Sequence, residues 1–547
     1  MGYHLGRSVG VFVAACLLMA AGCKAKSEGA GVQKAATAKA VEGEQKPAGP
    51  RRGGNVRLPS NEPRDLIPAL QTRFDRATPL IFEGLVGLDA TFGLKPRLAE
   101  SWDIAPDNRT ITFRLRKGVT WHDGKPFTSK DVKFTYRVID GAERQTVWKA
   151  YFSQVETVET PDDHTVVVNY KEPYALGLVS WTVGIMPAHV YDDDPARVDA
   201  PDVKQGIGTG PFEFSRWEKG ERIVLDANTE YWGGPPFLDH VELLLNVPAG
   251  RRLELLEAGK LDFVEITDVL QWSQEVHTPD FRDRFDVATE VENRLNMIAW
   301  NEQREPFDRA AVRRAVAHAL DRRRVIQEVL VGQARLMSAP FFPNMPGLNP
   351  AVAPLPFDLS RSVRLLDDAG LRAKEGGERF EIELIARDAT RDSQTDEMLA
   401  IFRKDLRAIG VDLKVVFLDT QSFFDRILLR EFDAALLGWL PDIADPDPYA
   451  LLHSSQINAG VNFAGYANPE VDALLDEARR RTDMDARTGL YEKVHALIQR
   501  DAPYTVLYAP YGQYAWSRNL RGVNPRDIGT QPRFPGVSRW WVDPVAR

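Results

Sequence analysis

Between Thr110 and Arg116 the chain alternates, with Ile111, Phe113 and Leu115 apolar and Thr112, Arg114 and Arg116 polar. A period of two predicts a strand with one buried face. His122-Asp123-Gly124-Lys125-Pro126 then carries turn chemistry, and residues 128–138 take up helical spacing. Val312, Val316, Ala319 and Leu320 fall on one side of a second helical pattern, predicted to be capped by Asp308 and to run to about Val331. Further on, the pattern predicts strand 379–385, helix 394–409, strand 410–417, helix 421–430 and a buried strand 432–437. Strands alternating with helices point to α/β lobes with largely parallel sheets. The Asp- and Pro-rich stretch 192–201 reads as an internal linker, and no repeat period is visible.

The first residues behave differently. An apolar run of 14 residues, 9–22, follows Arg7 and ends in Leu18-Met19-Ala20-Ala21-Gly22-Cys23. It is shorter than the roughly 20 residues that span a bilayer and has the length of a signal-peptide core. Small residues directly before a cysteine are what a lipoprotein signal peptidase reads, so 1–22 is expected to be removed and Cys23 lipidated. The alternative is a plain secreted signal with an incidental cysteine. Residues 23–53 are mostly Ala, Lys, Glu, Gly and Pro with no aromatic residue. Such a stretch cannot offset its ordering entropy by burial, and random-coil scaling gives a tether reaching about 30 Å.

Cys16 lies inside the signal, so the mature chain keeps Cys23 alone. That excludes a disulfide framework, a Cys-based zinc site and a cysteine nucleophile. A body of about 500 residues is large enough to divide into two or more lobes. The 69 basic and 78 acidic residues of the 547 give a net charge of −9 and form no basic stripe, which argues against a nucleic-acid partner. No His-Glu-x-x-His pair, Gly-x-Ser-x-Gly elbow or Walker loop is present, and Gly206-Ile207-Gly208-Thr209-Gly210 lacks dinucleotide-loop spacing. The sequence therefore predicts no enzyme and no cofactor or metal. An envelope hydrolase or a structural lipoprotein are the competing classes.

Several stretches recur in order along the body: Glu83-Gly84-Leu85-Val86, Leu98-Ala99-Glu100-Ser101-Trp102, Trp121 to Gly124, Gly208-Thr209-Gly210-Pro211-Phe212, Tyr231-Trp232, Glu257 to Asp262 and Asn468-Pro469-Glu470-Val471-Asp472. Together they resemble the bacterial extracellular solute-binding proteins of the oligopeptide, dipeptide and nickel class (family 5), in lipoprotein form. The resemblance implies a two-lobe, periplasmic-binding-protein-like α/β fold (type II) with a domain inserted in the first lobe. Mapped by motif, lobe I takes 54–92, 196–295 and 509–547, the inserted domain 93–195, and lobe II 296–508. It implies a monomer outside the cytoplasm, held to a membrane by its lipid, that delivers a peptide or another small solute to an ABC importer permease. Nickel chelates, haem and oligosaccharides are the other cargoes of the class.

The resemblance also implies ligand residues. Peptide-binding members carry a Gly-Trp-x-x-Asp phrase whose carboxylate meets the ligand α-ammonium, and Gly438-Trp439-Leu440-Pro441-Asp442 matches it. Asp442 is thus the expected anchor and Trp439 an apolar wall. Asp445 and Asp447, each before a proline, are expected to form turns. Ser60, Asn61 and Glu62 occupy the place where other members bind peptide backbone. Dipeptide binders place an arginine before the helix at 394–409 to hold the ligand carboxylate; Arg387 and Arg391 both fall near, and Arg391 is taken as the candidate.

Overall fold

The computed structural model describes residues 49–72, 75–89, 93–143, 146–200, 203, 205–343, 345–440, 445–524 and 536–544. The expected signal, Cys23, the tether up to residue 48 and Asp442 lie outside the described residues.

Three sheets organise the chain. The first orders Asn55–Ser60, His240–Leu245, Arg222–Ala227 and Phe212–Glu218. Asn55–Ser60 pairs parallel with His240–Leu245, and the remaining pairings are antiparallel. Lys219-Gly220-Glu221 is too short for a crossover and so imposes the antiparallel hairpin; Gly220 takes φ +77° in that turn. The second sheet is wholly antiparallel, ordered Ala99–Ile104, Thr110–Leu115, Thr165–Tyr170, Val155–Asp162. The alternation read from sequence holds here, with Ile111, Phe113 and Leu115 buried. The helix Ser129–Asp140 packs Val132, Phe134 and Val138 into the same core. Its start is fixed by Asp131, whose carboxylate accepts from the Thr128 amide at 2.8 Å.

The third sheet joins the two lobes. Val411–Leu418, Phe380–Arg387 and Ala434–Trp439 are parallel neighbours, followed by Leu295–Trp300 and then Tyr504–Ser517, both antiparallel. The long strand Tyr504–Ser517 belongs to both lobes. Its first half pairs with Leu295–Trp300, and its second half pairs with Phe263–Ile266 and Phe285–Val291. A register shift at Asn296/Met297 marks where it changes partners. Parallel pairing is therefore confined to the Asn55–Ser60 pair and to this βαβ run, not spread through the molecule as the alternation of elements suggested.

Two further expectations are corrected. The helix foreseen from Asp308 to Val331 is instead Ala310–His318, preceded by Arg309 with no side-chain cap. It breaks because Asp321 accepts from the Arg324 amide at 3.0 Å and starts a new turn. The stretch read as an internal linker is packed into the fold over its described residues 192–200. It holds the 3₁₀ turn Pro195–Arg197, and Val198 is buried in the core beneath the second sheet. The run at Gly206 to Gly210 is explained by packing: a Cβ on Gly208 would sit 1.8 Å from the Ile81 carbonyl oxygen.

Candidate functional site

A cavity of about 540 Å³ opens where the strand Tyr504–Ser517 passes from one lobe to the other, within the range of small-molecule sites. One wall comes from the C-terminal end of Ala434–Trp439 and supplies Leu437, Gly438, Trp439 and Leu440. Strand ends of parallel βαβ runs open onto such crevices. Arg387, Thr390 and Asp392 extend this wall, and Ile266, Thr267 and Val269 face it from the other lobe. The floor is the crossing itself, with Glu292, Arg294, Asn296, Tyr508, Pro510 and Tyr511. Gln513 Nε2 donates to Gln333 Oε1 at 3.1 Å beside it.

The floor is electrostatically unusual. Burial pushes the Glu292 carboxyl up to about 7, Glu265 beside it adds to the rise, and Arg294 opposes it. Arg294 Nε lies 3.2 Å from Glu292 Oε2. Glu265 in turn lies 3.6 Å from Arg76 and 3.8 Å from Arg252. Glu292 therefore keeps its proton to a higher pH than an ordinary carboxyl does. Burial pushes the Tyr508 phenol up to about 12, so it stays a neutral donor.

The expected site residues fall in different places. Trp439 lines the cavity, half-buried against the core of its lobe and paired with Leu295 across the sheet. Of the two arginines, Arg387 lines the cavity and Arg391 does not. Among the described residues no carboxylate pairs with Arg387, which lies 6.0 Å over the Phe424 ring. Arg391 sits 3.2 Å from Asp396 and 4.5 Å over the Phe417 ring. Asn61 and Glu62 are not part of the lining either. Glu62 accepts from the Gly220 amide at 3.0 Å and from Trp217 Nε1 at 3.1 Å, contacts that hold it below the usual carboxylate range. Ser60 is buried, its hydroxyl donating to the Asn61 carbonyl at 2.9 Å.

Asp445 and Asp447 do form turns: Asp445 accepts from the Asp447 amide and Asp447 from the Tyr449 amide, each at 3.0 Å. They also carry buried ion pairs that the sequence did not disclose. Arg487 reaches Asp445 through two hydrogen bonds, and Arg479 Nε reaches Asp447 at 2.7 Å. The floor residues were missed as well. Their one visible signal was Pro510 within an otherwise regular strand pattern, since a proline inside a strand marks an irregularity in the ladder.

One Ser–His contact has the look of catalysis and is not. His495 Nδ1 accepts from the Asn349 amide at 2.9 Å, so the ring proton sits on Nε2 and is donated to Ser338 Oγ, 2.9 Å away. Burial lowers His495 to about 4. A neutral ring that donates to the hydroxyl cannot act as its base.

The pattern of the bacterial extracellular solute-binding proteins, family 5 Middle, matches residues 93–460. The chain belongs to this family. As a member it is a solute-binding protein rather than an enzyme, and it acts outside the cytoplasm as the substrate carrier of an ABC transporter. The oligopeptide-binding protein AppA of Bacillus subtilis is 27% identical to it over 516 residues, covering 90% of this chain and 92% of AppA. The solved structure of that AppA in complex with a nonapeptide superposes with a TM-score of 0.72 at 26% identity, covering 90% of this chain and 99% of the other. Protein XP55 of Streptomyces lividans is 31% identical over 464 residues, 82% of each chain. NikZ of Campylobacter jejuni, solved with Ni(L-His), gives a TM-score of 0.72 at 25% identity, covering 86% of this solute-binding protein and 94% of NikZ. The two-lobe α/β fold is thus the fold of these carriers. Among the described residues no helix of this binding protein is long and apolar enough to cross a membrane.

Proposed function

We propose that this protein captures a peptide in the interlobe cavity and passes it to the permease of an ABC importer, while anchored to a membrane through a lipidated Cys23. In this reading 54–92, 196–295 and 509–547 form lobe I, 93–195 the inserted domain and 296–508 lobe II. The ligand α-ammonium meets Asp442, Trp439 walls the first residue, and Arg387 takes the terminal carboxylate in place of Arg391. The observation that carries the reading is that Trp439 and Arg387, an arginine with no carboxylate partner among the described residues, open on one cavity. A charge that has no internal counter-ion and faces a closing crevice is suited to a ligand of opposite sign. The nonapeptide in the related AppA structure supports the same cargo class.

Native mass spectrometry of protein purified from its own envelope tests this. The expected result is excess mass that releases short peptides on denaturation. Release of a nickel complex, of haem or of an oligosaccharide would contradict the peptide reading and leave the carrier role intact.

A further inference from the structure

Asp447 and Tyr449, beyond the cavity wall in sequence, are held by one residue. Arg479, in the helix Pro469–Arg480, pairs with the almost wholly buried Asp447 at 2.7 Å, and its guanidinium lies 3.5 Å over the Tyr449 ring. Burial alone would lower the Arg479 pKa, but Asp447 raises it above the ordinary value, so the pair remains charged. The backbone of the same residue reaches elsewhere. Its carbonyl accepts from the Ala175 amide at 2.7 Å. Three residues on, Thr482 Oγ1 meets Asn108 Oδ1 at 3.1 Å.

Ala175 and Asn108 both belong to the antiparallel-sheet unit. Asn108 is the φ +56° residue in the turn between Ala99–Ile104 and Thr110–Leu115, and Ala175 follows Thr165–Tyr170. That unit shares its core with Ile67 and Leu85 of the N-terminal part. Arg479 and Thr482 belong instead to the lobe whose core contains Leu295, Leu437 and Val471. Each hydrogen bond therefore joins these two cores, and both break if the antiparallel unit swings away from that lobe.

We propose that Arg479 is a positioning residue that couples lobe closure to the ligand wall: the bonds to Ala175 and Asn108 form on closure, and the side chain of the same residue then fixes Asp447 and Tyr449, the latter packed against the same core as Trp439. The antiparallel unit acts as the keeper of this latch. Among the described residues it contributes nothing to the cavity lining, and it meets this lobe at Arg479 and Thr482, with Tyr174 facing Arg479 and Asp447. The proposal rests on the reading that the ligand lies against Trp439. It adds that the rate of ligand escape is set in part by residues outside the cavity.

The test follows dissociation of a nonapeptide by tryptophan fluorescence in the wild type, Thr482→Val, Arg479→Lys and Arg479→Gln, with urea unfolding of each unliganded chain alongside. Losing one neutral hydrogen bond that exists only in the closed state should speed dissociation of Thr482→Val about three- to tenfold. Its association rate and unliganded unfolding midpoint should stay unchanged. Arg479→Gln should release faster still, and Arg479→Lys should fall between it and the wild type. Unchanged dissociation in Thr482→Val and Arg479→Lys would overturn the proposal, as would a loss that only tracks a lowered unfolding midpoint. If the nonapeptide does not bind the wild type, the peptide reading fails, and the latch is judged by joining its halves. The double variant Asn108→Cys/Thr482→Cys should then cross-link on oxidation and reduce the radius of gyration. Failure to cross-link would overturn the latch itself.

Discussion

Arg487 grips Asp445 with Nη1 to Oδ2 at 2.8 Å and Nη2 to Oδ1 at 2.5 Å, and the two side chains are only 2% and 6% exposed. A third bond joins Arg487 to the Tyr491 hydroxyl at 2.8 Å. Burial opposes the arginine charge, and Asp445 more than restores it, so the Arg487 pKa lies above its usual value. Removing one partner leaves the other charge buried and alone. Arg487→Met should cost about 3–5 kcal/mol of folding stability, whereas Arg487→Met with Asp445→Leu should recover most of the loss. Urea unfolding of the two variants checks this. Equal losses would show that the site does not behave as a charge pair.

The Glu292 carboxyl in the cavity floor predicts a pH dependence. Glu292 is raised from 4.5 to about 7 in the folded chain, mainly by burial. Between these values the native state binds more proton than the unfolded one, so stability falls as pH rises. Its contribution is complete below about 4.5 and is lost through about 7. Glu302, also raised to about 7 by burial, acts with the same sign. Glu292→Gln should therefore be more stable than the wild type at pH 8 and show a shallower fall between pH 5 and 7. Denaturant midpoints measured across this range should separate the two curves. Parallel curves would mean that Glu292 is ionised throughout.

The two arginines near the helix Ser393–Arg407 should separate on ligand binding. Arg387 lines the cavity, and Arg391 is turned to Asp396 and Phe417. Arg387→Ala should weaken binding of a peptide with a free carboxylate by about tenfold or more, the scale of a lost buried charge contact. Arg391→Ala should change it less than about twofold, as expected for an exposed pair. Calorimetry with the free-acid and amidated forms of one peptide checks both. A larger loss in Arg391→Ala would reverse the assignment.

The sequence revealed what is local. Alternation at Ile111, Phe113 and Leu115 fixed a strand, and the β–α run from Phe380 to Trp439 was legible because each element carries its own period. Trp439 was found because its phrase lies within five residues. Glu292 and Arg294 were not, because what places them at the cavity is their meeting with Pro510 and Tyr508, more than 200 residues away. Arg479 and Arg487 were hidden for the same reason: on a helix surface a solvated arginine and one reaching a buried aspartate look alike. Pairing direction was misread because alternation of strands and helices does not show the short hairpins, such as that at Gly220.

The proposed lipidation at Cys23 is motivated by Ala21-Gly22-Cys23. Cys23→Ala should abolish incorporation of a palmitate analogue and move the protein to the soluble fraction. Unchanged labelling would show that the signal is read differently.

The central claim is that the crevice beside Trp439 holds a peptide by its α-ammonium at Asp442. Calorimetric titration of one peptide and its N-acetylated form, against the wild type and Asp442→Asn, tests it most directly. If the pair is desolvated on closure, losing one partner costs about 2–5 kcal/mol, so Asp442→Asn should weaken binding roughly thirtyfold or more. Acetylation should then harm the wild type strongly and the variant hardly at all. Equal losses on acetylation in both proteins would contradict the claim and place the ammonium elsewhere.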